Sequence, residues 1–293
     1  MTRTDVCALY QFVPVADPPG VREALLAEMN RLEVRGSLLV APEGINGTIA
    51  GCRHNLQSIL DRIAELLDTD PIDAKWSTCE DTPFRRTKVR LKREIVTMGV
   101  DHIDPTSQAG TYVDAEDWNA LVDDPNVIVI DTRNEYEIEL GKFRGAIDPK
   151  TESFREFPAY VKDQLDPRRH AKVAMYCTGG IRCEKATSLL KSAGFDEVYH
   201  LRGGILKYLE TVSEGENRFE GDCYVFDGRV AVDNSLQPTG HAMCHACGLP
   251  VAPEQLDDPD YRVGVHCPRC VETLTEDQRS RFEMRQRQMA KET

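Results

Sequence analysis

Two groups of cysteines in the 293-residue chain are spaced for chemistry. The first forms a loop, Cys177-Thr178-Gly179-Gly180-Ile181-Arg182, between the apolar run Lys172–Tyr176 and a stretch from Cys183 to about Ala193 that reads as a helix. Strand, six-residue loop and helix in that order present a nucleophile to an anion. The amides of Thr178, Gly179, Gly180 and Ile181 are expected to converge on the Cys177 sulfur. The glycines permit the positive φ values this requires, and the helix adds its positive end. Arg182 supplies a permanent charge for anion or thiolate stabilisation. A cysteine of pKa ~8.5 drops by a unit or more in such a setting and becomes thiolate, the nucleophilic form. Cys183 has two readings. It resolves a persulfide or sulfenate on Cys177, or it is a small helix residue facing the core.

The second group is Cys244-x2-Cys247 and Cys267-x2-Cys270, with 19 residues between the pairs. Two tight knuckles closing on one tetrahedral ion form a zinc-ribbon arrangement, each thiolate ~2.3 Å from the metal. Four thiolates complete the coordination sphere, so the ion expected is a structural Zn2+; iron–sulfur binding uses the same ligands and stays open. Zinc is worth roughly 10–16 kcal/mol in small peptides, enough to fold a segment poor in apolar residues. His241, His245 and His266 lie beside the knuckles as spare ligands in principle, although such neighbours are usually surface histidines.

A third feature is the run Arg85-Arg86-Thr87-Lys88-Val89-Arg90-Leu91-Lys92-Arg93. On an extended chain Lys88, Arg90 and Lys92 share one face, and Val89 and Leu91 the other. The chain has 36 basic and 49 acidic residues, a net charge of −13. Residues 1–95 hold 13 basic and 14 acidic, 96–212 hold 14 and 20, and 213–293 hold 9 and 15. The basic run is therefore a local inversion, and Arg85, Arg86, Lys88, Arg90, Lys92 and Arg93 are candidate contacts for nucleic-acid phosphates. An edge strand blunted by charge against aggregation has the same signature.

The elements that must position these residues fall into three parts, an α/β multidomain chain. Over 1–95 the order is strand (Val6–Val13), helix from Pro18, a hairpin (Ser37–Val40, Ile45–Ala50), a helix marked by Leu56 to Leu67, and a strand near Ile72–Ser77. That βαββαβ order is a ferredoxin-like, acylphosphatase-like α+β domain. Residues 96–215 alternate as a parallel-sheet α/β domain. Asp114 caps a helix, Val127–Ile130 is a strand ending at Asp131, and Glu197–His200 is another before Arg202-Gly203-Gly204. Residues 216–293 are a Cys-rich, zinc-binding segment ending in a polar helix from about Glu276. No apolar stretch approaches the ~20 residues of a membrane helix. The start Met1-Thr2-Arg3 has no signal-peptide pattern, so the ten cysteines are expected in the reducing cytoplasm. The net acidity excludes coating nucleic acid by bulk charge. There is no P-loop and no flavin or nicotinamide fingerprint.

The spacing of Cys177 and Arg182 resembles the six-residue loop of the rhodanese family, whose cysteine carries a persulfide. Asp131-Thr132-Arg133 with Glu135 and Glu137, then Gly145-Ala146-Ile147, is similar to the family's upstream pattern; Asp131 and Arg133 read as an ion pair fastening a strand end. Over nearly its full length the chain resembles the rhodanese-domain-containing tRNA uridine hydroxylases. Cys-Thr-Gly-Gly-Ile-Arg-Cys-Glu-Lys-Ala from Cys177 carries most of the likeness, and Pro42-Glu43-Gly44-Ile45-Asn46-Gly47 supports it. The resemblance implies oxygen-dependent conversion of the tRNA wobble uridine to 5-hydroxyuridine. Molecular oxygen would be the co-substrate, the anticodon arm the partner, and Cys177 the active-site residue. Two other classes remain: a persulfide sulfurtransferase, and a non-catalytic RNA-binding zinc protein.

Overall fold

The computed structural model describes residues 3–101 and 103–289. Met1 and Thr2, read above for a leader, and the last four residues of the C-terminal segment lie outside the described residues. The first domain contains β1 (Thr4–Phe12), α1 (Pro18–Arg31), β2 (Arg35–Ala41), β3 (Gly44–Gly51), α2 (Arg53–Leu67), β4 (Ala74–Cys79) and β5 (Thr87–Leu91). Helix α1 starts where Pro18 sets φ and the Asp17 carboxylate accepts the Gly20 N–H. In α2, Leu56, Ile59, Leu60, Ile63 and Leu67 recur at helical spacing and are all buried.

The sheet order is β4-β1-β3-β2-β5, the ferredoxin-like arrangement with β5 added as an edge strand parallel to β2. The two helices cover the face that carries Cys7, Leu9, Leu38, Val40, Ile45 and Ile49. Strand register then dictates the opposite face. Ala8 stands across from Lys75 and Thr48, Tyr10 from Asn46, Ser37 from Lys88, and Leu39 from Arg90. No helix of this domain covers that second face; the middle of the chain does. In β5, Val89 is buried while Leu91, at the strand's end, is 46% exposed, so only one of the two joins the core.

The central domain runs α3 (Pro105–Gln108), β6 (Thr111–Val113), α4 (Ala115–Val122), β7 (Val127–Asp131), α5 (Glu135–Ile138), β8 (Gly141–Phe143), α6 (Phe157–Gln164), β9 (Lys172–Tyr176), α7 (Ile181–Ser192), β10 (Glu197–Leu201) and α8 (Gly204–Thr211). Its parallel sheet has the order β6-β10-β9-β7. Val173 to Tyr176 are consecutively buried, as expected of a strand covered on both faces. Helix α7 starts two residues earlier than expected, which places Ile181 and Arg182 in its first turn. Asp114 occupies the N-cap of α4, but its carboxylate accepts from Arg202 Nε at 2.7 Å and not from the helix amides.

The division expected after residue 215 falls inside a packed unit. Strand β11 (Phe219–Gly221) pairs with β8, and β12 (Cys223–Tyr224) pairs with β13 (Ala231–Val232). Phe219, Cys223, Val225 and Val232 fill the same core as Phe143, Tyr176 and Tyr208, so the chain as far as Val232 is tied to the central domain by apolar burial. The cysteine module follows with β14 (Ala242–Met243), β15 (Pro250–Val251) and α9 (Glu276–Met289). Arg269 links it back to Glu139 at 2.6 Å. Among the described residues no helix is long and apolar enough to cross a membrane.

The first two domains meet through α7. Its Lys185, 3% exposed, pairs with Glu43 at 2.8 Å and Glu94 at 2.7 Å and donates to the Val96 carbonyl at 3.0 Å. Phe12, Ala41 and Ile95 cluster with Ile181 beside it. Lys185→Ala should destabilise the protein by roughly 2–3 kcal/mol, less than the ~3–5 kcal/mol of a fully buried broken pair, because both carboxylates are partly exposed. Calorimetry should resolve separate melting of the first two domains in the variant, and an unshifted single transition would contradict this docking role.

Candidate active site

Strand β9 ends at Tyr176 and delivers Cys177, which is fully buried. The Gly180 N–H donates to Cys177 Sγ at 3.1 Å, and the amides of Arg182 and Cys183 face the same sulfur. This donor set differs from the expected one. Because α7 begins at Ile181, its first-turn amides take the place assigned to Thr178, Gly179 and Ile181. The Thr178 hydroxyl turns instead to Glu137 at 3.5 Å and the Tyr224 carbonyl at 3.4 Å, while Gly179 and Ile181 line the neighbouring cleft.

A second helix start shapes the loop from behind. Ile205 N–H donates to the Cys177 carbonyl at 2.9 Å and Leu206 N–H to that of Thr178 at 3.1 Å. With those carbonyls drawn towards α8, the amides that follow turn towards the sulfur. Gly204 is required there, since a Cβ would meet both carbonyl oxygens. Gly180 is constrained twice: its φ is +99°, and a Cβ would stand 2.8 Å from the Tyr10 hydroxyl of the first domain.

Arg182 does not reach into the loop as a free cation. It makes a two-pronged pair with Glu137 at 2.6 and 2.8 Å, both side chains being buried. Burial alone would push the Cys177 thiol up. The Cys183 thiol, the Arg182 charge and the two helix amides outweigh it and bring Cys177 down to about 6. Cys183 moves the other way, well above the usual thiol range, through burial and the facing thiolate; it stays protonated and directs its S–H at Cys177. Thr132 Oγ1 lies 3.6 Å from the Cys183 sulfur. Asp131 and Arg133 form a fully buried pair at 2.6 Å, and Arg133 also donates to the Gly141 carbonyl, which fastens the end of β7.

The loop opens into a cleft of about 470 Å³ between the domains. One wall holds Cys177, Thr178 and Arg182; the other is the helix-free sheet face, with Tyr10, Ser37, Asn46 and Lys75. A wider cleft of about 920 Å³ adjoins it, bordered by Arg85, Arg86, Lys88 and Arg90. Ser37, Phe84, Phe226 and Asp227 line both. Lys92 lies on the Cys177 cleft and Arg93 on neither, so the basic run is divided between them. The Tyr10 hydroxyl donates to Glu184 at 2.7 Å, and burial raises that carboxyl despite this bond.

The four paired cysteines converge. Cys244 and Cys270 sulfurs are 3.8 Å apart, Cys247 and Cys267 also 3.8 Å, and Cys267 and Cys270 3.7 Å. A tetrahedron with arms of ~2.3 Å has edges of ~3.8 Å, so the group fits one ion such as structural Zn2+. An iron–sulfur cluster interposes several atoms between its thiolates and would hold them farther apart. The three histidines stand outside this group: His266 is buried with Nδ1 2.7 Å from the Asp260 carbonyl, and His241 meets Thr239 at 2.7 Å. The His245 carbonyl accepts from Arg285 of α9, tying that helix to the first knuckle.

The lowered Cys177 thiol has a direct signature. Protonated well below pH 6 and ionised above it, Cys177 should contribute thiolate ultraviolet absorbance with a midpoint at about 6 in the difference between wild type and Cys177→Ser. A midpoint at or above 9 would show that the loop amides and Arg182 do not outweigh burial.

Residues 4–95 match the UPF0176 acylphosphatase-like domain, and residues 114–211 match the rhodanese-like domain. Among solved structures, the solution structure of a rhodanese-like domain from Anabaena sp. is 22% identical, with TM-score 0.31, covering 38% of this chain and 78% of that one. A Rhodopseudomonas palustris protein of unknown function, described as a possible tyrosine phosphatase, is 25% identical, with TM-score 0.29, covering 36% and 83%. An acylphosphatase from Coxiella burnetii is 13% identical, with TM-score 0.24, covering 30% and 93%. The chain thus joins a UPF0176-type acylphosphatase-like domain to a rhodanese-like domain, the architecture that its motifs led us to expect.

Proposed function

We propose that the protein is a cytoplasmic tRNA-modifying oxidoreductase that converts the wobble uridine to 5-hydroxyuridine with Cys177 as nucleophile. One observation carries this reading. The Cys177 loop opens into a cleft walled by a second domain and continuous with a basic edge. Sulfur transfer between small molecules needs the loop alone. A polynucleotide substrate needs a base-sized cleft beside a surface for its phosphates, and the cleft of about 470 Å³ next to the exposed Arg85, Arg86, Lys88 and Arg90 supports that reading.

In the proposed reaction the Cys177 sulfur, as thiolate or as the outer sulfur of a persulfide, adds to C6 of the uracil. The C5–C6 electron pair shifts to C5 and the O4 enolate. C5 then takes one atom of molecular oxygen, the other leaving as water with two electrons and two protons from a thiol reductant. Loss of the C5 proton and expulsion of the sulfur restore the ring. Cys177 suits both halves of this cycle, because the amides that stabilise its thiolate as a nucleophile stabilise it again as a leaving group. The four-cysteine module reaches the same cleft, Met243 lining it together with Arg85 and Lys88.

The test is nucleoside mass spectrometry of tRNA from cells lacking the protein, complemented with wild type or Cys177→Ser. Wild type should restore a uridine-plus-oxygen nucleoside and the serine variant should not, although it folds. Restoration by Cys177→Ser would refute the reading. An unchanged profile with thiosulfate-dependent loading of Cys177 would identify a sulfurtransferase.

A further inference from the structure

We propose that Phe226 is a stacking shelf for an unpaired RNA base at the junction of the two clefts, with the phosphates on either side lying along Arg85, Arg86, Lys88 and Arg90. The inference rests on the tRNA reading above and adds to it how the strand is held.

Phe226 lies in the turn between β12 and β13 and is 57% exposed, the most exposed aromatic ring among the exposed large apolar side chains of the described residues. Burying a phenylalanine stabilises a fold by about 1.5–3 kcal/mol, a gain this turn forgoes. The reason is visible in its neighbours, which are all fastened. The Asp227 carboxylate takes two bonds from Arg229, at 2.8 and 2.6 Å, and Arg229 donates onward to Ser77 of β4 at 2.6 Å. Gly228 N–H donates to the Pro83 carbonyl at 3.0 Å, and Val225 N–H to that of Val230 at 2.9 Å. Tyr224 meets the Phe226 ring edge-on at 5.1 Å, with Tyr136 behind it at 5.2 Å. The turn is therefore stitched to the first domain, while the Phe226 ring, with the Arg182 guanidinium over it at 5.8 Å, keeps more than half of its surface in solvent.

Position and charge identify the occupant. Phe226 borders both the Cys177 cleft and the basic cleft, with the half-buried Phe84 beside it. Arg85, Arg86, Lys88 and Arg90 are all exposed along the second cleft. The carboxylate there, Asp227, is engaged by Arg229. A cationic track ending at an exposed ring suits a single-stranded polynucleotide, whose bases offer faces and whose backbone offers charge.

The probe is an anticodon stem–loop RNA carrying 2-aminopurine in turn at each loop position flanking the wobble uridine, followed by anisotropy and base fluorescence. Wild type should bind and alter the fluorescence of one flanking base. Phe226→Leu should lose that change and weaken binding roughly five- to a hundred-fold, whereas Phe226→Trp should keep both. Lys88→Glu with Arg90→Glu should weaken binding and flatten its salt dependence, but leave the fluorescence change at saturation. Wild-type binding and fluorescence in Phe226→Leu would overturn the shelf, and with Cys177-dependent 5-hydroxyuridine still made in cells the functional reading would stand. Failure of wild type to bind the RNA would overturn both. Unaltered RNA binding in a Phe226→Leu variant that no longer modifies tRNA in cells would also overturn the shelf and point to a protein on this surface.

Discussion

The first turn of α7 has to satisfy two surfaces at once. Its amides point inwards at the Cys177 sulfur, while Glu184 and Lys185 reach outwards to Tyr10, Glu43 and Glu94 of the first domain. Gly180 sits where the demands meet, bent into a positive φ by the loop and denied a side chain by the Tyr10 hydroxyl. Activation of the cysteine and docking of the domains are therefore properties of one helical turn. Moving the first domain would disturb the loop, and moving the loop would unseat the first domain.

The charges around the site follow a consistent logic. Buried ions are expensive unless paired, and here the pairs are local: Asp131 with Arg133, Glu137 with Arg182, Asp227 with Arg229. Two buried groups at this site lack an ion-pair partner among the described residues: Glu184, bonded to the Tyr10 hydroxyl with its carboxyl raised by burial, and the Cys177 sulfur. Arg182 gives its hydrogen bonds to Glu137, so the thiolate is held by amides, by a neighbouring S–H and by a field already partly cancelled. Such an arrangement lowers the pKa without binding the sulfur so firmly that it ceases to be a nucleophile. Glu137 thus tempers Arg182, a role visible only once the two side chains are seen together.

What was legible in the sequence followed from short-range rules. The ferredoxin-like order, the parallel sheet and the two cysteine knuckles are encoded in periodicity and spacing, and they appear in the structure with the expected topology. The loop between β9 and α7 was legible too, but not which amides face the sulfur, because that depends on the residue at which α7 begins. The other wall of the cleft was not legible. Tyr10, Ser37, Asn46 and Lys75 lie on strands whose outward face looks solvent-exposed in sequence, and only domain packing turns it into a wall. Phe226 was equally hidden, since exposure of one aromatic residue depends on how its neighbours are tied down. The boundary expected after residue 215 shifted for a related reason: Phe219, Cys223 and Val232 complete a core built mostly from residues far earlier in the chain.

The central claim is that the Cys177 sulfur bonds to the uracil ring and does not merely carry sulfur past it. The most direct measurement uses an anticodon stem–loop whose wobble uridine carries deuterium at C5, incubated anaerobically with the protein and analysed by nucleoside mass spectrometry. Reversible addition of the sulfur at C6 makes C5 basic, so wild type should wash the deuterium out into solvent and Cys177→Ser should not. Full retention of deuterium with wild type, or equal loss with Cys177→Ser, would contradict the account.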